Sequence, residues 1–69
     1  MAIDRYLRRT RLDAGLTQAE VAKALGTDQS AVSGWETGKT RPSGPSLINL
    51  ADLFGCSVDA LLGREAANP

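Results

Sequence analysis

The stretch QAEVAKALGTDQSAVSGWETG, residues 18–38, sets small, apolar and turn-forming side chains at the spacings that two short helices need to cross tightly. Ala22 permits close approach, Gly26 supplies a turn that only a glycine makes without strain, and Val32 locks the second helix onto the first. Beyond Gly26 the chain re-enters a helix with Thr27 or Asp28 as its cap, and the next two residues are Gln29 and Ser30. Both carry short hydrogen-bonding side chains of the kind that reads base edges, so the stretch points to DNA.

Working outward, the apolar recurrence through Ile3, Leu7, Thr10/Arg11 and Ala14 predicts an amphipathic first helix over residues 3–14, with Gly15 as a left-handed cap. Leu16 plugs the core. Thr17 and Glu20 form a capping box that opens a helix from Gln18 to Leu25. The following helix runs to about Thr37 and stops at Gly38. Two prolines and Gly44 make residues 39–45 a loop, Ser46 is expected to cap a fourth helix ending at Gly55, and Ser57 a short fifth helix from Val58 to Leu62. No strand pattern or repeat occurs. The expected fold is all-α, five helices in one domain over residues 1–63, with a frayed tail from Arg64 to Pro69. Its packing residues are Leu7, Leu16, Val21, Leu25, Val32, Trp35, Leu50, Leu53 and Leu61. Trp35 lies three residues after Val32 on the inward stripe, which favours core over base stacking; Tyr6 is left open.

A chain of 69 residues buries only about 60% of the surface it exposes when unfolded, so its margin is thin and self-association is plausible. No run approaches the roughly 18 apolar residues of a membrane span, and MAIDRYLRRTRL carries charges where a signal peptide needs an apolar segment, so a soluble cytoplasmic protein is expected. Cys56 is the one cysteine and there is no histidine, which leaves no internal disulfide and almost no ligands for zinc. No metal or other cofactor is expected, and Cys56 reads as a small buried hydrophobe. Enzyme chemistry lacks its parts: no nucleophile stands beside a base, and no glycine loop cradles a phosphate.

The net charge is zero, which is unusual for a partner of nucleic acid, but its distribution is uneven. Residues 1–41 carry Arg5, Arg8, Arg9, Arg11, Lys23, Lys39 and Arg41 against Asp4, Asp13, Glu20, Asp28 and Glu36, a net of +2. Beyond Pro42, Arg64 faces Asp52, Asp59 and Glu65, a net of −2. One face suits phosphates and another a partner.

Residue for residue, 18–38 resembles the helix-turn-helix of the Cro and phage-repressor-like (Xre-type) family, and the resemblance runs over about residues 7–62, most of the chain. It implies a lambda-repressor-like domain in which helices 2 and 3 form the motif. Side chains on the outward face near the start of the third helix are those that can reach bases, here Gln29, Ser30, Ser33 and Gly34. Glutamine bonds adenine bidentately, and Gln29 matches the glutamine often found at the first of these positions. Gly34 departs from the family, which usually carries a longer polar side chain there. A glycine inside a helix costs about 1 kcal/mol, so either something approaches its backbone or the position reads no base. The resemblance further implies phosphate contacts from Gln18, at the N-terminus of helix 2, and from Lys39, Thr40, Arg41 and Ser43; Arg8, Arg9 and Lys23 stay open. Arg11, Gln18 and Glu36 reproduce the spacing at which Cro-like repressors pair an arginine of helix 1 with a glutamate of helix 3. Val58, Leu62, Cys56 and Pro45 fall where family members make their two-fold contact.

The expected function is therefore a homodimeric transcriptional repressor on a palindromic double-stranded DNA operator, of phage, prophage or mobile-element type. With no effector domain in its length and no small-molecule effector evident, concentration alone would govern occupancy. An antitoxin or a controller of restriction genes is the alternative on the same fold.

Overall fold

The starts of the second to fifth helices and most helix ends are set by a side chain or a left-handed residue visible in the sequence. The computed structural model describes residues 2–63, with side chains from Arg5 onward; the expected tail, Arg64 to Pro69, and the side chain of Ile3 lie outside the described residues. The described residues form five helices and no strand: α1 (Ala2–Asp13), α2 (Gln18–Leu25), α3 (Gln29–Thr37), α4 (Gly44–Phe54) and α5 (Val58–Leu61).

Thr17 caps α2 in both directions, its hydroxyl accepting from the Glu20 amide at 3.0 Å while the Glu20 carboxylate accepts from the Thr17 amide at 2.8 Å. Asp28, not Thr27, caps α3, accepting the Ala31 amide at 2.9 Å. Between these helices Gly26 sits at φ 72°, ψ 29°, and the Thr27 amide reaches back to the Ala22 carbonyl at 2.9 Å. That closure satisfies the Ala22 and Lys23 carbonyls in the last turn of α2 and leads the chain directly into α3.

Helix α4 begins two residues before its expected cap. Ser43 is the cap, its hydroxyl accepting from the Ser46 amide at 3.3 Å, and Pro45 lies in the first turn. The reason is that proline's fixed φ and missing N–H suit the opening turn of a helix, so Gly44 and Pro45 belong to α4 and not to the loop. Pro42, immediately before, is buried and anchors the loop's end.

The core consists of Leu7, Val21, Ala22, Val32, Trp35, Leu50, Ala51 and Leu61, all at 7% exposure or less. Burying each of the larger side chains contributes about 1.5–3 kcal/mol. Leu16, Leu25, Leu47, Phe54, Cys56, Val58 and Leu62 pack around them, partly covered, so Cys56 is a rim residue and not fully interior. Trp35 is core, as its register predicts. Leu53 is not: it is 37% exposed, because Leu50, one turn earlier, and Ala51 take the inward face of α4. Helix α1 lies across α3 and α5, while α4 packs on α2 and α5. The Tyr6 ring rests on the backbone of Gly63, which brings the residues after α5 against α1.

The two α4 leucines make this testable. Leu50→Ala should lower stability by about 2–5 kcal/mol, the cost of an unfilled core site, whereas Leu53→Ala should cost far less. Urea unfolding of the two variants measures the difference, and equal losses would refute the register assigned to α4.

Candidate nucleic-acid interface

The α2–α3 pair presents the N-terminus of α2, the start of α3 and the loop after α3. Its geometry is set from beneath by one ion pair. Arg11, on α1, is buried, and each of its three guanidinium nitrogens donates a hydrogen bond. Its Nε donates to Glu36 Oε2 at 2.6 Å, its Nη2 to Glu36 Oε1 at 3.1 Å, and its Nη1 to the Leu16 carbonyl at 2.8 Å. The two side chains are 10% and 3% exposed. Hydrogen bonding to Glu36, joined by that residue's charge, holds Arg11 above its usual guanidinium value against the opposing effect of burial. Helix 1, the α1–α2 connection and helix 3 are thereby tied at one point, as the spacing of Arg11 and Glu36 implies.

The same carboxylate extends the chain of contacts toward the surface. Gln18 Nε2 donates to Glu36 Oε1 at 3.1 Å, and Gln18 Oε1 accepts a long bond from Gln29 Nε2 at 3.5 Å. Sequence reasoning assigned Gln18 to phosphate and Gln29 to bases separately; the structure joins them in one line, Arg11–Glu36–Gln18–Gln29. The spacing of Arg11, Gln18 and Glu36 held part of this signal, but the link to Gln29 depends on how α2 crosses α3.

Ser30 is exposed, and its hydroxyl donates to Asp28 Oδ1 at 2.9 Å. Its hydrogen is occupied by the cap, which leaves the oxygen's lone pairs facing outward. Ser33 is half-buried at the edge of the same surface, whereas Gln29 is exposed. Gly34 has a concrete reason to be glycine. A Cβ placed there would lie 2.6 Å from Thr40 Oγ1, so the loop after α3 folds back against the helix at that point. Lys39, Thr40, Arg41 and Ser43 are all exposed along this loop, with Ser43 also serving as the α4 cap. Of the four dimer candidates, Val58, Leu62 and Cys56 are half-buried against the core and Pro45 is exposed.

Two carboxylates at helix starts titrate low. Hydrogen bonds from the Thr17 backbone and side chain lower Glu20, and bonds from the Ala31 amide and the Ser30 hydroxyl lower Asp28. Each also faces the positive end of its helix dipole. Among the described residues no group of His, Cys, Asp and Glu could hold a metal ion, and no helix is long and apolar enough to cross a membrane.

This arrangement has counterparts among known proteins. A family model described as helix-turn-helix matches residues 7–61. The chain belongs to the Xre/Cro-type helix-turn-helix family. It is 36% identical over 56 residues to repressor protein C2 of Salmonella phage P22, covering 81% of this chain and 26% of the relative. It is 34% identical over 70 residues to the HTH-type transcriptional regulator DicA of Escherichia coli (strain K12), covering 100% of this chain and 52% of the relative. The chain spans from 26% to 61% of the length of the curated relatives it matches. Among solved structures, the P22 c2 repressor in complex with a synthetic operator superposes with a TM-score of 0.86 at 31% identity, covering 93% of this chain and 97% of that one. A transcriptional regulator from Listeria innocua superposes at 0.83, also with 31% identity, covering 88% of this chain and 57% of that one. The lambda-repressor-like, five-helix fold expected from the sequence is the fold observed.

Two outcomes follow for the site. Arg11→Met should lower stability by up to about 3–5 kcal/mol, because it strands the Glu36 carboxylate, and adding Glu36→Leu should recover part of the loss. A double-mutant cycle on chemical denaturation reads the coupling, and additive losses would mean the pair does not act as a unit. Acid should weaken the caps. Both carboxylates bind protons more weakly in the folded chain than unfolded, from ordinary values of 3.8 for Asp28 and 4.5 for Glu20. Their contribution is therefore complete above those values and is lost as the pH falls through the lowered ones. Asp28→Asn keeps an acceptor at the cap without the charge, so its melting temperature should fall less steeply below about pH 5 than that of the unaltered chain.

Proposed function

We propose that this chain is a sequence-specific DNA-binding domain of a transcriptional regulator, acting as a homodimer on a palindromic operator and repressing transcription there. The observation that carries the reading is the line Arg11–Glu36–Gln18–Gln29. It holds an exposed, base-competent amide at the start of α3 in fixed relation to the N-terminus of α2. A helix that enters the major groove needs that relation, because one helix start must meet a phosphate while the other meets base edges. Family membership and the likeness to a repressor solved on operator DNA support the same assignment.

On this reading α3 is the groove helix, with Gln29 and Ser30 toward the bases and Ser33 at their flank. Ser30, its hydrogen given to Asp28, accepts from a donor edge, adenine N6 or cytosine N4. Gln18, Lys39, Arg41 and Ser43 hold the phosphate backbone. Val58, Leu62, Cys56 and Pro45 form the two-fold contact, which sets the recognition helices about 34 Å apart.

Selection from a random DNA pool, with sedimentation of the complex, tests the proposal. Enrichment of a two-fold symmetric site bound by two copies is the expected result, and an untouched pool would overturn it. On the selected site Gln29→Ala should cost about 1–3 kcal/mol and flatten preference at one base pair per half-site. Arg41→Ala should weaken all sequences alike and reduce the slope of log affinity against log salt by about one.

A further inference from the structure

The recognition helix has a gap where a side chain belongs. Residues 30 and 34 are one turn apart on the same face of α3, so position 34 continues the row that begins at Ser30. Position 34 is a glycine in the middle of a nine-residue helix, where glycine is unfavourable. The gap is not empty. Thr40 Oγ1 stands 2.6 Å from the point where the Cβ of residue 34 would be, with the Thr40 Cβ at 3.8 Å and its methyl at 3.9 Å. Two tetrahedral carbon–carbon bonds span about 2.5 Å, so the hydroxyl is as far from that point as the second carbon beyond the Cβ of a long side chain. The loop is pinned in this place by backbone. The Thr40 amide donates to the Gly34 carbonyl at 3.3 Å, an oxygen that also accepts from the Thr37 hydroxyl within α3 at 3.3 Å. Thr40 itself remains exposed.

We infer that Thr40, a loop residue, supplies the side chain that α3 lacks at position 34, so that its hydroxyl and methyl complete the base-facing row in the major groove. The inference rests on the reading of α3 as the groove helix and changes two assignments that the family resemblance implies. Gly34 becomes the residue that admits the loop, and Thr40 moves from the phosphates to the bases. The chemistry suits the place. A hydroxyl can donate to or accept from several base edges, and the threonine methyl can meet the methyl of thymine. A residue in this role discriminates between sequences, whereas a neutral phosphate contact supports all of them equally.

The test compares the full chain with Thr40→Ala, Thr40→Ser, Gly34→Ala and the Gly34→Ala/Thr40→Ala pair. Random-pool selection and titration on the enriched site should show Thr40→Ala losing about tenfold discrimination at one base pair per half-site. Affinity for unrelated DNA should hold. Thr40→Ser, which keeps the hydroxyl, should retain the hydrogen-bonded part of the preference. In thermal unfolding, Gly34→Ala should raise the melting temperature beside Ala at position 40, where it only relieves a helical glycine, and raise it less or lower it beside Thr40, whose hydroxyl has to move aside. If Thr40→Ala weakens all sequences equally, or leaves the base preference intact, the assignment is overturned while the groove reading stands. If the unaltered chain enriches no sequence, both fall together. An equal thermal effect of Gly34→Ala in the two backgrounds would show that Thr40 does not fill the gap, and would likewise overturn the assignment.

Discussion

A buried arginine whose three guanidinium nitrogens each donate a hydrogen bond is the constraint on which the rest of this small domain depends. Arg11 reaches from α1 to the α1–α2 connection through the Leu16 carbonyl and to α3 through Glu36. Removing such a group leaves a carboxylate in an apolar surround, a far larger penalty than the pair's own net contribution. The pair therefore acts less as a source of stability than as a geometric lock. Glu36 passes that lock outward to Gln18, and Gln18 to Gln29, so the amide proposed to read a base is positioned by a charge on another helix.

Charge at the proposed interface is arranged for the fold as much as for the ligand. Glu20 and Asp28 sit at the starts of α2 and α3, where capping and the helix dipole favour a negative group, yet the proposed function turns both of these ends toward DNA. Lys39 and Arg41 on the following loop offset them. With a net charge of zero, the chain has little long-range attraction for nucleic acid, so on the proposed reading its affinity would rest on close contacts made by few side chains.

The local rules of capping were legible because each involves residues within one turn. Thr17 with Glu20, Gly26, and Ser57 act where sequence places them. The start of α4 was misread because Ser43 and Ser46 are both competent caps, and the choice falls to Pro45, whose ring belongs in the first turn once Pro42 is buried. Leu53 falls within the wide apolar stripe of α4 that the sequence marks as buried, but that stripe holds more apolar residues than one face can bury. The residues of the site were mostly legible as candidates. Their connections were not, because Gln18 and Gln29 are eleven residues apart and meet only across the helix crossing.

By itself, then, the sequence determined five helices, the caps of α2 and α5, the tight turn at Gly26 and the inward register of Leu7, Val21, Val32, Trp35 and Leu50, all consequences of short-range sterics and hydrophobic period. The tertiary structure alone decided which polar side chains share a hydrogen bond, and so how Ser30 is committed to Asp28 and Gln18 to Glu36. It also explained the glycine at 34, by bringing the Thr40 hydroxyl against it. The physical reason is range: a cap or a period is fixed within one turn of chain, whereas these contacts exist only once helices and a loop distant in sequence are packed to within a few ångströms.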